Sequence, residues 1–117
     1  MQATVHRWAE TPADRPMENI ERRRIIGERA MISLVVLEAG CDVARQQHEN
    51  EQFAHIVRGR LRFGLGEPDT PEYREVELGA GEVLQLPGGF PHSARALEES
   101  EVLDIFAPPS ETTGIDK

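Results

Sequence analysis

The chain has 117 residues, enough for one domain with a real core and no covalent staples. Its formal charge of −8 opposes nucleic-acid phosphates and anionic membrane surfaces, so neither is expected as a partner. The single cysteine, Cys41, excludes an intrachain disulfide; with a polar stretch from Met1 to Glu10 and no apolar run long enough to span a bilayer, it points to a reducing, cytoplasmic setting.

Apolar residues come in short alternating runs, broken about every eight to twelve residues by Gly, Pro or Asn, the rhythm of an all-β sandwich or barrel. Residues 5–8 predict a short edge strand that a second copy can pair with, which makes a homodimer the expected assembly. Residues 11–17, with Pro12 and Pro16, read as a connector. Strands follow over 19–26 and 31–37, around a turn at Gly27-Glu28-Arg29. The basic run Arg22-Arg23-Arg24 reads as a solvated strand face or an interface edge. After a turn at Ala39-Gly40-Cys41-Asp42, further strands are expected over 52–58, 61–65, 73–78, 83–86, 93–97 and 102–107. The reading is one domain over 1–117: a barrel core at about 19–107, an N-terminal arm over 4–18 and a loose tail over 108–117. Leu61, Phe63 and Leu65 alternate as core, and Trp8, Phe53 and His55 read as packing or interface.

Two clusters carry the polar chemistry. One holds Gly40, Gln46, His48, Gln52 and Gly59; the other runs from Gly81 through Pro87-Gly88-Gly89-Phe90-Pro91-His92. Side chains two apart on a strand share a face, so Gln46 and His48 should point the same way. Imidazole nitrogens and amide oxygens converging from strand ends suit a first-row divalent metal, although a histidine beside a turn is more often an ordinary surface or core residue. Asp104 lies on an otherwise apolar strand, where shielding from water raises a carboxyl pKa. That suits a general acid or base, and equally a carboxylate bonded to a neighbouring strand's Arg or amide.

Together these segments resemble the two cupin motifs. The second motif, Gly, five residues, Pro-x-Gly-x-x-His, is matched in full from Gly81 to His92. The first motif is matched from Gly40 to Gly59 except at Gln46, where it has His. The stretch His48 to Val57, Arg58-Gly59 and Asp104-Ile105-Phe106-Ala107-Pro108-Pro109 are similar to the small pectin-degradation (KdgF-like) cupins. The resemblance implies a cupin double-stranded β-helix barrel. It also implies a metal site at Gln46, His48, Gln52 and His92, a catalytic Asp104 and a pocket-lining Phe106. Its subgroup carries an Arg where this chain has Ser110, a departure that touches recognition of a substrate carboxylate; Arg58, Arg60 or Arg62 are the substitutes considered.

The expected function is therefore an isomerase- or lyase-type enzyme using nickel, zinc, iron or manganese as Lewis acid and Asp104 for proton transfer. Its substrate would be a small sugar-acid-like or other oxygenated molecule. The alternatives are a non-catalytic small-molecule-binding or accessory cupin and a polyketide-type cyclase. A dioxygenase ranks below these, because only two matching histidines are present.

Overall fold

The computed structural model describes residues 2–113. Ten strands form two antiparallel sheets: β1 Ala13–Met17, β2 Ile20–Ile26, β3 Met31–Leu37, β4 Asp42–Gln46, β5 Glu51–Arg58, β6 Arg60–Leu65, β7 Arg74–Gly79, β8 Val83–Leu86, β9 His92–Ala96 and β10 Ser100–Ala107. The larger sheet has the order β1-β2-β3-β10-β5-β8, the smaller one β4-β9-β6-β7. Their inner faces close on an apolar core that includes Ile20, Leu37, Ile56, Leu61, Phe63 and Val102. Period-two patterning dictates this. In β3, Met31, Ser33, Val35 and Leu37 are buried while Ile32, Leu34 and Val36 are half-buried on the other face. No helix among the described residues is long and apolar enough to cross a membrane.

The N-terminal segment departs from the sequence expectation. Residues 5–8 form no strand; Trp8–Glu10 make a single 3-10 turn instead. The strand begins eight residues further on, inside the expected connector, where Ala13 pairs with Arg23 and Asp14 with Arg22. Proline gives the physical reason. Pro16 has no N–H to donate, which a central strand cannot tolerate but an edge strand can. β1 is that edge, and its register shifts between Asp14 and Met17. The 3-10 turn is in turn tied to β2 by Arg23, which donates to Thr11 O at 2.5 Å.

The Arg22-Arg23-Arg24 run is also corrected. Arg22 and Arg24 share the inner face with Ile20, and Arg22 is only 3% exposed. Its guanidinium makes a two-pronged pair with Asp14, at 3.1 and 2.7 Å. A charge run is a poor guide on a strand, because alternate members face opposite ways.

The expected tail begins after β10. Its first residues are held: Asn50 Nδ2 donates to Pro108 O, and Arg24 Nη1 donates to Glu111 O at 2.6 Å. Residues 114–117 of the expected loose tail lie outside the described residues.

Candidate metal centre

Four elements deliver the polar side chains to one end of the barrel interior. Gln46 arrives by way of an irregularity. Plain alternation from the buried Val43 would turn Arg45 inward and Gln46 outward, but the β4–β9 register shifts between Val43 and Gln46. A bulge re-aims the side chains that follow it. Gln46 therefore lines the interior cavity, directly opposite His92, while Arg45 is exposed and pairs with Glu67. The strand ends at Gln46, so His48 is placed by the following loop and not by strand alternation.

That loop is clamped to the second motif. The Gly89 N–H donates to His48 O at 2.8 Å. Gly88 packs so closely that a Cβ there would lie 2.5 Å from Glu49 O. Any larger residue at 88, a variable place in the motif, would push the His48 loop away; the motif's own glycine is Gly89, whose φ of 78° favours a residue without a Cβ. Asn50, 4% exposed, completes the loop by bonding the backbone at Pro108.

The resulting geometry joins the predicted residues. The rings of His48 and His92 are 5.2 Å apart, edge to face. His48 Nε2 stands 3.2 Å from Gln52 Oε1, and Gln52 Nε2 donates to Asp104 Oδ1 at 2.9 Å. Phe106 is buried with its ring 5.7 Å from that of His48. It supports the histidine and is absent from the cavity lining, which Gln46, Gln52, His92 and Asp104 share with apolar residues such as Val35 and Phe63.

Protonation follows from the partners. His92 Nδ1 lies 2.8 Å from Phe90 O, and a carbonyl only accepts, so Nδ1 carries the ring proton. His92 Nε2 is then a bare lone pair, buried and without a hydrogen-bond partner among the described residues. Burial pushes the His92 pKa down, against a raising from the Phe90 carbonyl and with further lowering from His48 and Arg45, which favours the neutral ring. His48 meets an acceptor at both nitrogens, Asn50 O at 3.2 Å and Gln52 Oε1 at 3.2 Å. In the neutral form, the form that can ligate a metal, the single ring proton can serve only one of them. The other approach sets two lone pairs against each other, which a cation between them would relieve. An orphaned neutral imidazole nitrogen, a second imidazole and the oxygens of two amides form a donor set that fits a divalent metal of the nickel–zinc–iron–manganese group. The set contains no group of three or more His, Cys, Asp or Glu among the described residues. The fit therefore depends on the amides.

Asp104 sits beside this set. Burial pushes its carboxyl up to about 6, against a lowering from the Gln52 amide that bonds it. Both sequence readings of Asp104 thus describe one group: a carboxylate bonded by a neighbouring strand's amide, and one poised between its charged and neutral forms. Cys41 is fully buried, and burial with Asp42 and Glu38 raises its thiol, which leaves it inert packing.

The arginines considered as substitutes at Ser110 do not reach this region. Arg58 pairs with Glu99 and Glu101, and Arg60 and Arg62 both pair with Glu77, all on the outside of the barrel. Sequence reasoning passed over Asn50 and the inward-facing Arg22 and Arg24. Stepping in twos from Ile20 was the signal for the two arginines.

Fold and site together define a small β-barrel with a histidine–amide donor set at one end of its interior. The chain belongs to the cupin family: the cupin domain family model matches residues 33–106. Among solved structures it is similar to KdgF from a Halomonas species, with 23% identity, a TM-score of 0.83 and coverage of 94% of this chain and 97% of that one. An RmlC-like cupin from Shewanella frigidimarina superposes with a TM-score of 0.82 at 16% identity, over 94% and 95% of the two chains. Oxalate decarboxylase from Lactobacillus farciminis, in a formate complex, gives 0.78 at 18% identity; 95% of this chain covers 36% of that longer one. No curated protein matches the chain.

Proposed function

We propose that this chain is a divalent-metal cupin enzyme of isomerase or lyase type, acting on a small sugar-acid-like or otherwise oxygenated molecule. The observation that carries this reading is the Nε2 of His92, buried and without a partner among the described residues, on a ring 5.2 Å from that of His48. Leaving a buried nitrogen unpaired costs about 1–3 kcal/mol, a cost that ligation removes. His48, His92 and Gln52 would hold the metal, with Gln46 completing the set. A bound divalent metal supplies Lewis-acid polarisation of a substrate oxygen.

The rest falls to the chain's own residues. Gln52 links the two functions, its oxygen turned to His48 and its nitrogen holding Asp104. Asp104 would take a proton from the carbon beside the substrate oxygen. It would return that proton to a neighbouring atom in an isomerisation, or to the departing hydroxyl in an elimination. The cavity, about 60 Å³, has room for an ion and a few waters. A sugar-sized molecule needs several times more, so it would reach beyond the cavity toward solvent. The resemblance to pectin-degradation cupins supports the sugar-acid class. A cytoplasmic setting fits the single buried thiol.

The test is metal content. Protein equilibrated with nickel or zinc and then desalted is expected to retain about one ion per chain, and His92→Ala to retain almost none. A wild-type chain that retains no metal would instead favour the non-catalytic binder, to which the two weakly ligating amides also lend weight.

We also propose a homodimer, now through the outer face of the larger sheet. Ile25, Ile32, Leu34, Phe53, Leu103 and Ile105 lie there in adjacent cross-strand rows, half-buried within one chain. The six residues lie on four adjacent strands in two neighbouring rows, an apolar face of roughly 250 Å² at ordinary strand spacing. A contiguous apolar patch supports an association site, and a sheet face can be self-complementary to a second copy.

A further inference from the structure

His48 differs from its companions in the donor set because no strand carries it. Gln46, Gln52 and His92 sit on β4, β5 and β9, whereas His48 stands in the loop between Gln46 and Glu51. A loop side chain is only as well placed as the contacts that fix its backbone. Two segments grip this loop. One is the turn between β8 and β9, where Gly89 N–H donates to His48 O and Gln47 Nε2 donates to Gly89 O at 2.6 Å. The other is the segment that leaves β10, where Asn50 Nδ2 donates to Pro108 O.

The second grip depends on one side chain. The ladder between β5 and β10 runs as far as Glu51 and Ala107. Beyond it, Pro108 and Pro109 have no N–H, so neither can donate to Asn50 O. The Asn50 amide supplies the bond that the strand cannot, and at 4% exposure it is shielded from competing water. Asn50 O is turned instead to His48 Nδ1, at 3.2 Å. The segment is held further along, where Arg24 Nη1 donates to Glu111 O at 2.6 Å.

We infer that Asn50 is the positioning residue of His48. Its side chain ties the loop to the segment after β10. Its carbonyl keeps the His48 ring proton on Nδ1, which leaves Nε2 as the ligating lone pair. Phe90 O does the same for His92, from two residues before the histidine instead of two after it. The two carbonyls are held differently. Phe90 belongs to a turn closed by its own backbone, its N–H donating to Pro87 O at 3.2 Å, whereas Asn50 is pinned through its side chain. His48 is therefore the ligand whose placement a single substitution outside the donor set can undo. Asn50 has this role only where His48 ligates a metal, so the inference rests on the reading above and deepens it.

Zinc affinity and ring protonation in the full-length protein test it together. Affinity is measured by competition with a chromophoric chelator, and the ring nitrogens of the zinc-loaded protein by long-range proton–nitrogen correlation NMR. In wild type, His48 and His92 should both carry the proton on Nδ1. Asn50→Ala should bind zinc about tenfold or more weakly, the usual result of losing a contact that orients a ligating imidazole. Its His48 Nδ1–H signal should shift or be lost to exchange with water while the His92 signal stays in place; a general loss of packing would move both. Asn50→Asp should also bind more weakly than wild type. Its added carboxylate by itself favours a nearby cation, so a loss shared by the two variants belongs to the missing N–H. An Asn50→Ala protein with wild-type affinity overturns the inference. So does a wild type with the His48 proton on Nε2, a result that needs no variant to fold. A wild type that retains no zinc overturns the metal reading as well, which tells the two failures apart.

Discussion

The larger sheet presents two faces built from the same strands, and they invert the usual division of labour. Its outer face, though open in one chain, is apolar along the central strands: Ile32 and Leu34 on β3, Leu103 and Ile105 on β10, Phe53 on β5. Its inner face is apolar at one end, with Ile20, Leu37 and Ile56. At the other end it carries Arg24, Ser33, Asp104 and Gln52. Polar groups inside and apolar groups outside would be a poor design for an isolated barrel. The inversion makes sense if the inside holds a cation and a substrate and the outside holds another copy.

The sharpest way to break that contrast uses two consecutive residues. Val35 is 4% exposed on the inner face, and Leu34 is half-buried on the outer one. Val35→Glu buries a carboxylate with no partner, and is expected to cost more than ~3 kcal/mol and to leave little folded protein by circular dichroism. Leu34→Glu should fold nearly as well as wild type, within about 1 kcal/mol by urea denaturation. Sedimentation should show its mass falling from dimer to monomer. A wild type that sediments as a monomer removes the second copy from the account of the outer face.

The next effect belongs to the inner face alone. Asp104 titrates near 6 when folded, against an ordinary value of 3.8. Between those values the folded chain holds more proton than the unfolded one, so stability from this group falls as pH rises through the window and stays low above it. Asp104→Asn has no such penalty. In chelator-stripped protein it is expected to be more stable than wild type by about 1–3 kcal/mol at pH 7.5, with the gap closing by pH 4. Urea denaturation at the two pH values measures this; a gap of the same size at both would mean that Asp104 ionises freely.

The same contrast shows what could be read without the structure. Strands β2, β3, β5, β6 and β10 announce themselves through alternation, because each has one face in the core. β1 does not, since an edge strand tolerates Pro16 and buries little. The second motif yielded His92 by spacing, but its decisive property is not a matter of spacing. That property is a lone pair freed because Phe90 O claims the other nitrogen. The aim of Gln46 depends on a register shift that no residue type signals. Arg22 and Arg24 were obscured by reading Arg22-Arg23-Arg24 as a charge run, although stepping in twos from Ile20 places two of the three inside.

Gln46, on the smaller sheet that faces this inner surface, offers the finest test. It sits opposite His92 across the β4–β9 pair, and directly opposed residues share a face of the sheet, so an imidazole at 46 would enter the same space as His92. Imidazole is a stronger donor to a transition metal than a neutral amide oxygen. Gln46→His should therefore tighten nickel or zinc binding by about tenfold, or ~1.4 kcal/mol, in competition with a chromophoric chelator. If affinity does not change, position 46 lies outside the donor set, and the bulge in β4 serves the cavity wall and not the metal. If affinity rises, the cation is held from both sheets at once, by β4, β9 and the His48 loop on one side and by β5 on the other.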